Sequence, residues 1–259
     1  SQHSRKVNLS HINLVVIDDA ISPSIIKYYR NDLGALKQIY QLLETDDGYE
    51  IHNMTDINYE EYPLDFDHGS KVVSEIIELC YFSPPNVIFV GVSIGGGLVN
   101  VTAGLEYIRD HFDAIKPDVI TMSLGGYDKN EKTEAILRDL YNRGVVMLAA
   151  AGNDNLASIC FPASSEYVIS VGAIYDDKPD YAQYKGYRAG AVEDPNIDWG
   201  SNYGTDLDVV APGVAVETKT SSGTFREDPV PTIFTQTSAA TPLAAIVASY
   251  VVATYKRIS

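Results

Sequence analysis

Short apolar runs alternate with longer amphipathic segments along almost the whole chain. Apolar stretches at residues 14–17, 87–92, 118–122, 145–150, 167–171 and 207–210 predict strands. Several are unbroken runs of Val, Ile and Leu, as in parallel strands covered on both faces. Between them the apolar residues recur at helical spacing. Leu36, Ile39, Tyr40 and Leu43 stand at i, i+3, i+4 and i+7; Val72, Val73, Ile76, Ile77 and Cys80 form a second stripe, and Val101, Leu105, Ile108 and Phe112 a third. A last helix is predicted from about Ser238 towards Tyr255. Strands alternating with helices indicate an α/β fold with a mostly parallel sheet. No repeat or linker divides the chain, so residues 1–259 are expected to form one domain. Two polar stretches, 44–67 and 175–203, read as surface elaborations between core elements.

Composition excludes several classes. A chain of 259 residues that is 45% apolar can bury a sizeable core. No apolar run reaches the roughly 18 residues of a membrane span; the nearest, 239–253, fits a core helix better. Lys plus Arg is 19 and Asp plus Glu is 35, a formal net charge of −16. Phosphate backbones and anionic membranes repel such a surface, so neither nucleic acid nor membrane is an expected partner. Cys80 and Cys160 are too few for a disulfide framework and too far apart for a zinc knuckle, which leaves two buried thiols. The first ten residues, SQHSRKVNLS, hold no apolar segment, so no signal peptide is expected within them and the compartment is left open.

Four places do not look like packing alone. In Val15-Val16-Ile17-Asp18-Asp19 a carboxylate ends a buried strand, where ligand sites gather in open α/β sheets. Asp67-His68-Gly69-Ser70 opens the second amphipathic stripe, and no other histidine has a comparable setting. Ala149-Ala150-Ala151-Gly152-Asn153-Asp154 leaves a strand with small residues, which admit another backbone, and ends at an amide that can donate to an oxyanion. Gln236-Thr237-Ser238-Ala239-Ala240-Thr241-Pro242 places a serine at the start of the final helix. Taken singly, the aspartate and serine read equally well as caps, and the histidine and the Gly-Asn segment read better as a structural histidine and a turn. Together they supply what serine acyl transfer needs: a hydroxyl, an imidazole base, a carboxylate to fix its tautomer, and an oxyanion donor.

The chain order Asp, His, Ser and the flanking blocks resemble the subtilisin-like serine protease family. VVIDDAI is similar to the family's aspartate strand, DHGSKVV to its histidine helix, DVITMSLGG to its substrate strand and AAAGND to its oxyanion segment. FPASSEYVISVGA, SNYGTDLDVVAPG and QTSAATP resemble three further blocks, so the likeness runs from Leu14 to Pro242. It implies a three-layer fold with helices on both faces of the sheet, and hydrolysis of peptide bonds without an organic cofactor. By the same resemblance Ser238 is the nucleophile, His68 the base and Asp18 its orienting carboxylate, preferred over Asp19 by the match to VVID and by strand alternation. Asn153 and the Ser238 N–H are the oxyanion donors. A peptide or protein substrate is expected to lie as an added strand between Ser123-Leu124-Gly125 and the region of Gly95, Gly96 and Gly97. Gly152, Asp154 and Cys160 fall at its pocket, with the thiol at the floor and the carboxylate near the rim.

Departures from the family pattern sharpen these expectations. Asp19-Ala20 stands where Thr-Gly is usual, Ser70 where Thr is, Gln236 where Gly is, and Ala239 where Met is common. The stretch 78–86 is too short for the calcium loop that many members carry there, so no metal ligand is assigned, although the carboxylates leave structural calcium elsewhere open. The alternative function is a catalytically inactive, peptide-binding regulatory member of the same fold. A further alternative is transfer of the acyl group to an amine. A propeptide or additional domains outside residues 1–259 are compatible with the resemblance.

Overall fold

Strand β1 (Asn13–Asp18) sets the plan of the molecule. Leu14 and Val16 pack into one hydrophobic cluster, whereas Val15 and Ile17 pack into another on the opposite face of the sheet. The unbroken apolar run is therefore the signature of a strand covered twice. The structure, a computed structural model, describes residues 7–62, 67–80, 82–93, 99–222 and 227–258.

Seven further strands join β1: β2 (Leu36–Thr45), β3 (Gly48–Asn53), β4 (Asn86–Gly91), β5 (Val119–Met122), β6 (Val146–Ala150), β7 (Ile169–Ile174) and β8 (Val209–Pro212). Their order is β3-β2-β4-β1-β5-β6-β7-β8, parallel except where β3 pairs antiparallel with β2. A separate hairpin joins β9 (Val216–Thr220) to β10 (Val230–Phe234). The helices are α1 (Pro23–Ile26), α2 (His68–Leu79), α3 (Val101–Asp110), α4 (Phe112–Ile115), α5 (Glu131–Asn142) and α6 (Thr237–Ile258). The stripes of α2 and α6 enter the cluster shared with Leu14 and Val16, while α3 and α5 close the other face. This is the three-layer α/β arrangement expected from the sequence.

One predicted helix is a strand. Leu36, Ile39, Tyr40 and Leu43 lie in β2, which shifts register against β4 between Leu36 and Gln38. That bulge puts Leu36 and Ile39 on the same face, three residues apart, while Tyr40 and Leu42 face the opposite cluster. A bulged strand thus counterfeits helical spacing. The stretch 44–67 is likewise more than decoration. It includes β3, and buries Ile51, Met54 and Tyr62. Helix α6, at 22 residues, is longer than its apolar run suggested and long and apolar enough to cross a membrane. Ala239, Ala240, Ala245, Ile246 and Ala253 are nevertheless packed into the core, so here it is a core helix.

Chain order places β4 and β5 on either side of β1, so the path switches direction across the sheet at β1. The carboxyl ends of strands flanking such a switch form a crevice. Asp18 ends β1, Ser123 follows β5 and Asn153 follows β6.

Candidate active site

Alternation along β1 puts Asp18 on the face of Leu14 and Val16, the one covered by α2. His68 is the first residue of α2, and its Nδ1 lies 2.7 Å from Asp18 Oδ1. Asp18 is 1% exposed while the His68 side chain is 39% exposed, so the carboxylate end of the bond is the one sheltered from water. A ring nitrogen facing a carboxylate carries the proton, which leaves Nε2 as the acceptor. Phe234 meets the imidazole edge to face, with centroids 5.3 Å apart. The Asp18 carboxylate pushes His68 up to about 9, against the opposing pull of burial.

Asp19 has a different task. Its Oδ1 accepts from Ala20 N at 2.6 Å and from Gly69 N at 2.9 Å, tying the end of β1 to the start of α2. The Ser70 hydroxyl adds to this tie by accepting from Ser22 N at 2.9 Å. Burial, and then the Asp18 charge, push Asp19 up to about 7.

Ser238 is the second residue of α6 rather than its cap, and is 7% exposed. Its Oγ donates to the Ser123 carbonyl at 3.2 Å and makes no hydrogen bond to His68. Pro242, four residues on, has no N–H to give the Ser238 carbonyl. The Ser123 hydroxyl donates to that carbonyl instead, at 2.8 Å, so two reciprocal bonds lock the start of α6 to the segment after β5.

Asn153 caps the same helix from outside. Its Oδ1 accepts from Thr237 N at 2.9 Å and from Thr237 Oγ1 at 2.7 Å. Because a backbone N–H can only donate, this contact fixes which end of the amide is oxygen. The Nδ2 end is therefore the donor, and it reaches Gln236 Oε1 at 3.4 Å. The Ser238 N–H lies in the first turn, where a helix offers no acceptor.

The Asp–His pair, the serine on α6 and the oriented amide thus lie together at one end of the sheet. The family model described as the subtilase family (Peptidase S8) matches residues 11–259. The chain belongs to the subtilase family. It is 28% identical to Subtilisin DY of Bacillus licheniformis over 218 residues, 78% of this chain and 70% of that one. It is 30% identical to the subtilase-type proteinase RRT12 of Saccharomyces cerevisiae over 161 residues, 58% of this chain but only 29% of that protein. Among solved structures, the S41 psychrophilic protease superposes with a TM-score of 0.68 at 18% identity, over 96% of this chain and 79% of that one.

In this subtilase the segments after β5 and β6 form one wall. Gly126 and Phe161 exchange backbone hydrogen bonds at 2.8 and 2.7 Å. A Cβ on Gly125 would lie 3.2 Å from Cys160 Cβ. Cys160 is buried and unpaired, as is Cys80, and burial raises its thiol. Leu124 packs on the α3/α5 side of the core. Gly95, Gly96 and Gly97 lie outside the described residues.

Three residues that sequence reasoning passed over hold this wall in place. Thr237 orients Asn153, as described above. Asn202, fully buried, accepts from Asp154 N and Leu156 N at 3.0 and 3.1 Å and donates to Ala151 O at 3.1 Å. Tyr127 donates to Asp154 Oδ2 at 2.5 Å, so that carboxylate is engaged. A cavity of about 700 Å³ opens beside Asn153 and Asp154, bounded by Trp199 and Gly200.

Gly152 has φ +107°, and a Cβ there would stand 2.3 Å from Asn202 Nδ2 and 2.6 Å from Cys160 Sγ. Backbone strain and overpacking each cost about 1–3 kcal/mol. Gly152→Ala is therefore expected to lose on the order of 2–5 kcal/mol in chemical denaturation, and a loss below 1 kcal/mol would contradict this packing.

Among the described residues, Asp18, Asp19 and His68 offer ligand atoms within 4.8 Å of one another, close enough to hold a metal ion. A cation there would compete for the Asp18–His68 hydrogen bond.

Proposed function

We propose that this subtilase is a serine endopeptidase that cleaves peptide bonds through an acyl-enzyme on Ser238. The observation that carries the reading is the 2.7 Å bond between the buried Asp18 carboxylate and His68, beside a serine at the start of α6. With Nδ1 held by the carboxylate, Nε2 faces away from Asp18 as a base. Ser238 Oγ turns from the Ser123 carbonyl towards Nε2, gives up its proton and attacks the substrate carbonyl. Pairing of the substrate along Ser123, Leu124 and Gly125 would engage the carbonyl that Ser238 vacates.

Negative charge then develops on the carbonyl oxygen, where Asn153 Nδ2 and the Ser238 N–H donate to it. His68 returns its proton to the leaving amine. Water, activated by the same imidazole, releases the acid. No step requires a cofactor. A folded sample should be labelled at Ser238 by a fluorophosphonate, and absence of labelling would favour the inactive peptide-binding alternative.

The pH profile follows from the carboxylates. Only neutral His68 can accept the Ser238 proton, and the folded value of about 9 stands above the ordinary 6.5. Activity is therefore expected to rise with pH on the alkaline side of neutrality. Asp19 contributes to this, since its charge also favours the imidazolium. Asp19→Asn keeps an oxygen for the Gly69 and Ala20 N–H groups but removes the charge. The rising limb of kcat/KM should move to lower pH; an unmoved limb, or one shifted to higher pH, would show that Asp19 does not act on His68.

A further inference from the structure

Gln236 holds φ at +80°, in the left-handed region that side chains other than glycine rarely adopt. The backbone is pinned there. Gln236 N donates to Gly213 O at 2.7 Å, and its carbonyl accepts from Ala239 N and Ala240 N at 3.1 and 3.3 Å. A Cβ on Gly213 would lie 2.7 Å from the Gln236 carbonyl oxygen, so the absence of a side chain there makes the approach possible. Glycine would take this conformation at position 236 without strain. Strain retained beside a reactive group points to a use for the side chain that causes it.

That side chain reaches Asn153. Gln236 Oε1 accepts from Asn153 Nδ2 at 3.4 Å, while the other end of the Asn153 amide is committed to Thr237. A carboxamide oxygen thus sits against the donor that the proposed reaction aims at the oxyanion. It is a neutral imitation of the substrate's own amide carbonyl.

We propose that Gln236 is the resting occupant of the oxyanion hole, which the substrate carbonyl must displace before Asn153 can act. The proposal rests on the serine endopeptidase reading and deepens it. The contact is long for a hydrogen bond, so it yields readily to a charged oxygen at 2.7–3.1 Å. The nucleophile is parked in parallel, with Ser238 Oγ on the Ser123 carbonyl. An occupied hole reduces apparent substrate affinity by the fraction of molecules in which it is free. Gln236 therefore lowers kcat/KM, and its removal raises it.

The test compares the wild-type chain with Gln236→Gly and Gln236→Ala. Gln236→Gly should raise kcat/KM by about two- to tenfold, the range of one uncharged hydrogen bond. A peptide boronic acid, whose adduct places a tetrahedral oxygen in the hole, should bind more tightly by a similar factor. The midpoint of thermal unfolding should be equal or higher in Gln236→Gly, because the strain is gone. Gln236→Ala should gain the same activity without that thermal benefit. A fall in kcat of tenfold or more in a folded Gln236→Gly variant would overturn the proposal, making Gln236 a donor rather than an occupant. Unchanged kcat/KM and boronate affinity would overturn it too. If neither the wild type nor Gln236→Gly is labelled by a fluorophosphonate, the protease reading fails on its own. The occupancy is then judged by the Asn153 side-chain amide resonance, which must shift in Gln236→Gly; a resonance that stays in place sinks the contact.

Discussion

Ser238→Ala is expected to abolish peptide-bond hydrolysis while leaving the fold intact. The loss in kcat should be on the order of 10⁶, a magnitude carried over from subtilisin rather than obtained from this geometry. The structural cost is small because the hydroxyl makes one hydrogen bond, to the Ser123 carbonyl at 3.2 Å. A single such bond contributes about 0.5–1.5 kcal/mol net. The reciprocal bond from Ser123 Oγ to the Ser238 carbonyl survives the substitution, so α6 keeps its anchor. Thermal unfolding and active-site titration on the same sample separate the two effects. Residual activity of a few per cent would point to a nucleophile other than Ser238, whereas loss of the folded state would refute the packing described for the start of α6.

The elements legible in the sequence are those whose pattern has one physical cause. Strand β1 is unbroken because Leu14 and Val16 meet one layer and Val15 and Ile17 the other. The stripe of α2 is clear because only one of its faces is apolar. Strand β2 mimics a helix in sequence because a bulge between Leu36 and Gln38 changes the parity of its alternation, and no composition signal marks a bulge. The candidate side chains stand out in local blocks, but the contacts between them do not. Nothing in AAAGND announces that Asn153 Oδ1 is claimed by Thr237, or that Asn202, from a distant segment, ties down the loop. The glutamine at 236 was visible as a departure from the family's glycine. Its left-handed backbone and its bond to Asn153 arise only in the folded chain.

Asn153→Ala carries the second large expectation and must be read together with a companion. The variant removes the Nδ2 donor, and the loss of one such donor lowers kcat by about 10²–10³ in subtilisin, a relative from which the figure is taken. Substrate binding should change little, because the donor is aimed at the tetrahedral oxygen rather than at the ground-state carbonyl. The same substitution strips an acceptor from Thr237, whose N–H and hydroxyl both point at Asn153 Oδ1. Thr237 is fully buried, and an unsatisfied buried donor costs about 1–3 kcal/mol, so alanine alone confuses chemistry with the integrity of α6. Asn153→Asp resolves this. Aspartate keeps an oxygen for Thr237 but offers no donor, and sets a negative charge where the oxyanion must form. It should therefore match or exceed the alanine loss in kcat while restoring most of the stability. If Asn153→Asp instead recovers activity along with stability, Asn153 serves the start of α6 and the oxyanion is held elsewhere. If either variant changes KM alone, its donor acts on bound substrate and not on the transition state.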